Sequence, residues 1–454
     1  MESTVSADSL HRTAKLFMDN GQAQTHDEAL AMLRGFGLTV YVGTDIALSI
    51  HHQTALLTLI NVARRTFLAG VEVVGVPAAR SLCPLAPAAG LRESVVGLGG
   101  KLVSVPRSGW PTALIGDVGD IQAGFPAWRV TWGGWRGGAL PAREEVRLRE
   151  YDAISLAPVL AASACAGEVF AYHAGGQAMA GRRNSGLSLW RPTSDWLADD
   201  PTEVSLGFLP SRVWIIGLGN LGQAFAWTLA TLPYQDRDQV QITLQDFDRI
   251  GESNESTSVL SFASDVTRRK ARVVGEWLER RGFQSFLSEH RFGSWTRRGE
   301  DEPSVALCGV DNPLARAALE KAGFGLVVEA GLGAGTEAFR SISVHTFPSS
   351  LSAEQLWSKE VGAPKESTGN MPAYQELKGK GMDRCGLTQL ASRTVGVPFV
   401  GMIAGCLVVS ELLRRLNSGS AFELLSGSAA ALTDFESIEM KSGPYSFGHV
   451  NTRV

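Results

Sequence analysis

Residues 213–229, VWIIGLGNLGQAFAWTL, join a short apolar run to a glycine-rich turn and then to apolar residues at helical spacing. This pattern is typical of a strand, a phosphate-binding turn and a helix. In such a turn, Gly217 permits the sharp bend, Gly219 lets the backbone approach a phosphate, and Gly222 lets the helix pack close to the sheet. The stretch, which also contains Asn220, therefore predicts a nucleotide-binding site.

The residues around the glycine turn support this interpretation. ITLQDFD, residues 242–248, predicts a second strand that ends in Asp246 and Asp248, where a carboxylate would meet a ribose hydroxyl. The glycine motif alone is also compatible with a turn that binds no ligand, and both aspartates are common turn formers. The strand, the helix and the acidic strand end together favour nucleotide binding.

Length and composition indicate a globular protein of several domains. The chain has 454 residues, of which 44% are hydrophobic and 19% charged, so it is too long for one typical domain and too apolar for a disordered chain. The formal net charge of −4 gives no support for a nucleic-acid or membrane-surface partner. No apolar run has the length of a transmembrane helix, and residues 1–17 lack the apolar core of a signal peptide.

Five scattered cysteines without a C-x-x-C pair indicate neither a disulfide framework nor a structural zinc site. They are Cys83, Cys165, Cys308, Cys385 and Cys406. This usage fits a reducing compartment, so we expect a cytoplasmic protein.

The first half of the chain predicts an α/β unit of its own. LTVYVG at 38–43, an apolar helix at 50–67 and VEVVGV at 71–76 form a βαβ pattern. Its turn, VGTDIALS, has one glycine, and no paired aspartates follow its second strand, so we expect a degenerate copy of the nucleotide-binding unit. The apolar helices at 156–172 and 397–416 are similar in composition. This similarity favours a duplication, although buried helices often share such a composition.

Composition also suggests the domain boundaries. Residues 182–210 lack a clear periodicity, so we divide the chain into a first domain at 1–180, a linker at 181–210 and a second domain at 211–454. Residues 359–384 are polar, with several Gly and Lys, which predicts an exposed, mobile crossover loop.

The order of polar residues after the glycine turn is more specific than the turn itself. In chain order they are Asp246, Asp248, Asn254, Lys270, Asp311, Asn312 and Cys385. In this order and spacing, residues 205–416 resemble the adenylating domain of ubiquitin-activating enzymes and of their ThiF/MoeB-type relatives, which adenylate sulfur-carrier proteins. The resemblance implies that ATP and Mg²⁺ convert the C-terminal glycine carboxylate of a small protein to an acyl adenylate.

The resemblance also implies a role for each residue. Asp246 would bind the ribose, Asn254 and Lys270 would hold phosphates, and Asp311 would hold Mg²⁺. These charges suit the reaction, because attack of a carboxylate on a phosphate brings anions together. Lys270 could also be an ordinary solvated helix charge, and the Asp311-Asn312 pair could cap the helix that follows.

One position departs from the family pattern. Members commonly have an arginine three residues beyond the asparagine, and here that position is Thr257. Arg268 and Arg269 could replace it. Our candidate is Arg12, because relatives often use an arginine from the N-terminus of a partner domain.

Cys385 lies in the polar stretch DRCGLTQ, between the predicted loop and the long apolar helix. This resembles the surroundings of the thioester cysteine in compact activating enzymes for ubiquitin-like proteins. A thiolate is a strong nucleophile that could attack the acyl adenylate and release AMP. The alternative is an ordinary buried thiol, which we expect for Cys165, Cys308 and Cys406.

The sequence therefore predicts a two-lobed α/β protein with two Rossmann-like adenylation domains in tandem, the first degenerate and inactive, the second active. The two lobes would form a pseudo-dimer within one chain, which also allows a homodimer. By the resemblance, the protein adenylates a ubiquitin-like protein, holds it on Cys385 as a thioester and passes it to a conjugating enzyme. Family analogy alone suggests a bacterial ubiquitination-like pathway in antiviral defence.

Three other functions remain compatible with the sequence. The nearest is an adenylating enzyme for a sulfur carrier or a peptide, in which Cys385 carries no acyl group. From other classes, an NAD-dependent oxidoreductase would also need the glycine turn. A non-catalytic scaffold would bind a ubiquitin-like partner without turnover.

Overall fold

The computed structural model describes residues 7–119, 121, 124, 126–175, 177–360, 371–440, 445 and 448–452. These residues form two α/β lobes, each built on one mixed sheet. The first sheet has seven strands and the second has eight, and a further two-stranded sheet pairs residues near the end of the chain with the start of the second lobe. The predicted α/β class with two tandem domains is confirmed.

The described residues of the first lobe form seven strands and five α-helices. The strands are β1 Gly37–Val42, β2 Gly70–Val74, β3 Gly100–Leu102, β4 Thr112–Ile115, β5 Ala127–Gly133, β6 Arg136–Pro141 and β7 Ser185–Ser188. The helices are α1 Lys15–Asp19, α2 His26–Arg34, α3 Ile50–Ala63, α4 Leu91–Gly97 and α5 Leu156–Ala174. Thr25 caps α2, as its position suggests, by accepting a hydrogen bond from the Glu28 N–H.

The second lobe contains the remaining strands and helices. The strands are β8 Phe208–Pro210, β9 Arg212–Ile216, β10 Gln241–Gln245, β11 Gln284–Ser288, β12 Val305–Cys308, β13 Leu326–Leu332, β14 Ser341–Phe347, β15 Phe422–Ser428, β16 Ala431–Glu439 and β17 His449–Asn451. The helices are α6 Asn220–Thr231, α7 Lys270–Glu279, α8 Pro313–Ala317, α9 Gly335–Ala338, α10 Ala353–Trp357, α11 Pro372–Gly379, α12 Arg384–Ser392 and α13 Pro398–Leu416.

The two large sheets share one topology. Their orders are β3-β2-β1-β4-β5-β6-β7 and β11-β10-β9-β12-β13-β14-β15-β16. In each sheet the first five strands along this order are parallel and the strands that follow are antiparallel. The second sheet adds only β16. The shared order supports the duplication that the two apolar helices suggested.

Helices from both lobes pack together between the sheets. α3 and α5 come from the first lobe and contact α6 and α13 from the second. The Phe170 and Phe399 rings lie 5.5 Å apart, and the Trp227 indole N–H donates to the Thr58 hydroxyl at 3.1 Å. α13 is buried along its whole length, which explains why residues 398–409 are apolar on every face. Among the described residues, no helix is long and apolar enough to cross a membrane.

Two expected segments differ from the structure. Ser185–Ser188, within the expected linker 181–210, is β7 of the first sheet, so that sheet extends beyond residue 180. Of the expected mobile loop 359–384, residues 361–370 lie outside the described residues. Residues 372–379 are not a loop but α11, because Tyr374 is buried and its hydroxyl bonds with Lys15 and Asp19 of α1.

Candidate functional site

The three glycines of the turn between β9 and α6 each have a distinct environment. Gly217 has a φ of +81°, which favours glycine. A Cβ on Gly222 would lie 1.8 Å from the Gly217 carbonyl oxygen, whereas a Cβ on Gly219 would meet no atom within 4 Å. The turn therefore closes tightly on one side and opens to free space at Gly219, beside the N–H groups that start α6.

Asp246 holds this turn in place. One carboxylate oxygen accepts the Leu218 N–H at 2.6 Å, and the other accepts the Asp248 N–H at 2.7 Å. The Asp246 side chain is buried. Its position at the end of β10 thus shapes the glycine turn from the neighbouring strand, in addition to any contact with a ribose.

Lys270 pairs with Asp248 beside the turn. Its Nζ lies 3.1 Å from Asp248 Oδ2, and its backbone N–H donates to the Asp248 carbonyl at 3.1 Å. The lysine is largely buried at the start of α7, while the Asp248 side chain is 48% exposed. The pair places a cation and an accessible carboxylate at the carboxyl edge of the sheet.

Asn254 lies on a short 3₁₀ helix, Glu252–Ser256, in the loop after β10. Its amide oxygen accepts the Gly251 N–H at 2.8 Å, and within the described part of the chain its amide nitrogen makes no hydrogen bond. Thr257, at the position of the family arginine, is buried. Arg268 does not fill that position, because it pairs with Asp265 and Glu276.

Asp311 follows β12, which lies on the other side of β9 from β10. The Cβ direction of Gly217 meets Val310 at 2.8 Å, so the segment leading to Asp311 packs directly on the turn. Asp311 is exposed. The Asn312 amide oxygen instead caps α8, where it accepts the Leu314 N–H at 2.9 Å, so Asn312 has the capping role that was one of its two interpretations.

Asn220 also has a structural contact. Its amide nitrogen donates to the Val397 carbonyl at 3.2 Å, and its oxygen lies beside Gly401. This side chain therefore joins the start of α6 to the start of α13.

Arg12 reaches the second lobe beside Thr257. A Cβ on Gly396 would lie 2.7 Å from Thr257 Cγ2 and 3.4 Å from Arg12 Cβ, so the three residues meet at one point. The Arg12 Nε and Nη2 donate to the Thr394 carbonyl at 3.2 and 2.5 Å. The pKa of Arg12 is lowered to about 10, mainly by burial and also by the charge of Arg393, against the opposing charges of Asp311 and Asp8.

Cys385 lies on the first turn of α12, not in a loop. Asp383 caps this helix by accepting the Gly386 N–H at 2.6 Å. At the other end, Arg393 donates to the Ala7 carbonyl and pairs with Asp8. With a rise of about 1.5 Å per residue, Cys385 is about 12 Å along the helix from Arg393.

The other cysteines are unsuited to thiolate chemistry. All four are buried, whereas Cys385 is exposed. Burial raises the pKa of Cys83 to about 11 and that of Cys308 to about 12, and it also raises the pKa of Cys165 and Cys406. Because the thiolate is the nucleophile, exposure favours Cys385 among the five.

Sequence comparisons identify the relatives of this chain. Residues 37–189 match the family model of the BilD N-terminal domain, and residues 209–419 match that of the BilD C-terminal domain. A bacterial E1-like protein BilD from Collimonas sp. (strain OK412) is 58% identical over 449 residues, which cover 99% of this chain and 97% of that protein. The chain belongs to the BilD family of bacterial E1-like proteins. The resemblance to E1-like proteins predicted from the sequence is confirmed at this level.

Solved structures are more distant from this BilD-family chain. E. coli MccB is 13% identical, with a TM-score of 0.34, over 52% of this chain and 64% of MccB, so the match spans just under two thirds of MccB. E. coli tRNA N6-threonylcarbamoyladenosine dehydratase, TcdA, in complex with AMP is 16% identical, with a TM-score of 0.30, over 46% of this chain and 86% of TcdA.

The first lobe of the BilD-family chain has an ionic cluster where the second lobe has its glycine turn. Asp45 follows β1, and its carboxylate accepts the Asp117 N–H beyond β4 at 3.2 Å. The His52 Nε2 lies 3.3 Å from Asp45 and 2.9 Å from Glu150. Arg147 contacts both carboxylates through Nη2, at 3.5 and 2.6 Å.

This cluster resembles a metal ligand set, because Asp45, His52 and Glu150 each offer one ligand atom and these atoms lie within 4.8 Å of one another. Arg147 supplies the positive charge there. Burial raises the pKa of Glu150, but hydrogen bonds from His52 and Arg147 outweigh it, and the pKa lies below its usual value. Sequence reasoning missed this cluster, as it missed Arg65, whose contacts are described below.

Proposed function

We propose that this chain uses ATP to adenylate the C-terminal carboxylate of a ubiquitin-like protein at the second lobe. The observation that carries the proposal is the convergence of the open glycine turn, the Asp248–Lys270 pair and Asp311 at the crevice between β9 and β12. In open α/β sheets, ligands bind where the strand order reverses. Membership of an E1-like family supports the same reaction.

The residues would divide the work of adenylation. A substrate carboxylate oxygen attacks the α-phosphorus of ATP, the bond to the β-phosphate breaks, and pyrophosphate leaves. Gly219 and the start of α6 would bind a phosphate. Lys270 would leave its ion pair with Asp248 and pair with the phosphate instead. Asn254 would donate its free amide N–H groups, and Arg12 would add charge from the first lobe.

Asp311 fits a magnesium ligand. Mg²⁺ prefers oxygen and is commonly bound by one or two carboxylates together with phosphates and water. Asp311 offers one exposed carboxylate, and Asn312 contributes no free oxygen because it caps α8. Bound there, Mg²⁺ would neutralise phosphate charge.

Cys385 would then accept the acyl group. Its sulfur attacks the acyl carbon, a thioester forms, and AMP leaves with the bond electrons. Exposure of Cys385 on α12 supports this role. The far end of α12 is also hydrogen-bonded to the N-terminal segment beside the Asn254 loop, through Arg393 and Thr394. Transfer to a conjugating enzyme, in a bacterial pathway of antiviral defence, would follow.

The first lobe would complete the site without nucleotide chemistry of its own. Its crevice between β1 and β4 contains the Asp45, His52 and Glu150 cluster, and Arg147 occupies the cationic position. Charged side chains thus occupy the place where the second lobe has its glycine turn. This supports an inactive first lobe and an active second one.

The deciding experiment combines the purified chain with ATP, Mg²⁺ and a ubiquitin-like protein encoded beside its gene. Pyrophosphate exchange reports adenylation, and a non-reducing gel reports a thioester. We expect exchange and a thiol-sensitive adduct in the wild type, and exchange without the adduct in Cys385→Ala. Exchange with no adduct in the wild type would leave only an adenylating enzyme. Neither signal would reject the proposal in favour of a scaffold or, with nicotinamide binding, an oxidoreductase.

A further inference from the structure

Arg65 belongs to the first lobe, but its guanidinium also donates to three carbonyl groups of the second lobe. It follows α3 and is 2% exposed. Its Nη1 donates to the carbonyls of Glu255 and Ser261 at 2.5 and 2.9 Å, and its Nη2 donates to the carbonyl of Val259 at 2.9 Å. One guanidinium therefore satisfies three carbonyl groups of a single loop in the other lobe.

That loop, residues 250–262, carries Asn254. A second side chain, from the second lobe, also holds the loop: the Gln223 amide oxygen accepts the Leu260 N–H at 2.7 Å, and its nitrogen donates to the Ser261 hydroxyl at 2.9 Å. Gln223 lies on the first turn of α6, next to the glycine turn. The loop is thus clamped between the two lobes at residues 255–261.

Arg65 is itself held in one orientation. Its Nε and Nη2 each donate to Asn61 Oδ1 at 3.2 Å, while Asn61 Nδ2 donates to the Val259 carbonyl at 3.0 Å. The fixed fork of guanidinium donors matches several carbonyls at once, which a lysine ammonium does not. Apolar packing would join two lobes at lower cost than a buried charge, so lobe cohesion alone does not account for this arginine.

We propose that Arg65 is a positioning residue of the nucleotide site, which holds the loop so that Asn254 presents its amide N–H groups to the phosphates. The inference rests on the proposed function of the second lobe. It assigns the first lobe a specific contribution: the lobe that lacks a glycine turn shapes the phosphate loop of the lobe that has one.

Arg281 provides a matched control. It also joins the lobes through carbonyl groups, donating from Nε to Pro84 and from Nη2 to Leu85 at 2.8 and 3.1 Å. Among the described residues, it makes no hydrogen bond or ion pair with the Asn254 loop. Loss of Arg281 therefore reports what a weaker lobe contact does by itself.

The experiment measures the dissociation constant of ATP with Mg²⁺ by calorimetry for wild type, Arg65→Met, Arg65→Lys and Arg281→Met, with thermal unfolding as a fold check. We expect Arg65→Met to weaken ATP binding by about ten-fold, a change that corresponds to about 1.4 kcal/mol. Arg65→Lys should recover part of the loss, and Arg281→Met should bind like the wild type although its melting temperature falls.

A double variant separates positioning from general damage. If Arg65 acts through Asn254, the double variant Arg65→Met/Asn254→Ala should lose less ATP affinity than the product of the losses in the two single variants. Wild-type affinity in folded Arg65→Met, an equal loss in Arg281→Met, or simple multiplication in the double variant would overturn the inference and leave the proposed function intact. A wild type that binds no ATP would instead reject the proposed function, and this inference with it. If Arg65→Met fails to fold, the comparison of Arg65→Lys with Arg281→Lys decides in the same way.

Discussion

The Nζ of Lys270 lies 3.1 Å from a carboxylate oxygen of Asp248. The pair couples the first residue of α7 to Asp248, two positions after the buried Asp246. A phosphate that enters this site would take the lysine charge that Asp248 now balances. We expect Lys270→Ala to reduce pyrophosphate exchange roughly 100-fold, the size of effect seen when one charge-stabilising donor is removed.

Lys321→Ala is the control for this variant. Lys321 also forms an ion pair, with Glu354 at 2.8 Å, but it is exposed and lies on a different part of the second lobe. Exchange rates and melting temperatures of the two variants should be measured together. An equal loss of exchange in both would show that Lys270 has no special role.

Cys385→Ser tests the nucleophile in a second way. A hydroxyl in place of the exposed thiol would form an oxyester, which resists thiols but is cleaved by base. We therefore expect the gel adduct of wild type to disappear with thiol, and a weaker adduct of Cys385→Ser to persist with thiol and disappear with alkali. A thiol-sensitive adduct in Cys385→Ser would show that another residue carries the acyl group.

Substitution by alanine should have different effects at two glycines of the same turn. In Gly222→Ala the new Cβ would lie 1.8 Å from a backbone oxygen, so we expect the variant to lose about 2 kcal/mol of stability through overpacking. In Gly219→Ala the Cβ meets free space, so the melting temperature should hold while ATP binding weakens several-fold. Unchanged ATP binding in Gly219→Ala would show that no phosphate approaches there.

His11 should make the protein less stable in mild acid. Burial lowers the pKa of His11 to about 4, below the unfolded value of about 6.5. As pH falls below 6.5 the unfolded chain takes up a proton that the folded chain does not, so stability decreases until about pH 4. From this residue alone we expect a loss of about 2 kcal/mol between pH 7 and pH 5.

The control for this pH effect is His11→Gln, which cannot titrate but keeps a donor toward the Arg65 carbonyl that the His11 Nε2 contacts at 3.0 Å. Urea unfolding at pH 7 and pH 5 should give a smaller pH dependence for His11→Gln than for wild type. The same dependence in both proteins would assign the effect to other groups.

Sequence patterns predicted the parts of the fold that rest on local periodicity. The glycine turn, the apolar parallel strands and the two long helices each carry a strong signal of this kind. β6 and β7 lack it, because Gly138 and Gly186 pack where a Cβ would lie 2.5 Å from the Ser185 carbonyl and 2.4 Å from the Trp196 ring. RGGALP therefore resembles a turn, although close packing makes it a strand.

The candidate site follows the same division. The order of Asp246, Lys270 and Asp311 was visible because each follows a recognisable strand or starts a helix. Arg65 was not, because its partners in the loop are 190 to 196 residues away along the chain. The contact of His52 with Glu150, 98 residues away, was hidden for the same reason.

The N-terminal segment that carries Arg12 can complete its contacts only late in synthesis. The Thr13 hydroxyl donates to the Gly396 carbonyl, a partner 383 residues later. During translation, Thr13 is made 383 residues before Gly396, the residue with which it pairs. A growing chain could fold its first sheet early, but the proposed nucleotide site stays incomplete until synthesis has passed residue 396. On the proposed function, an unfinished chain would therefore not adenylate its partner.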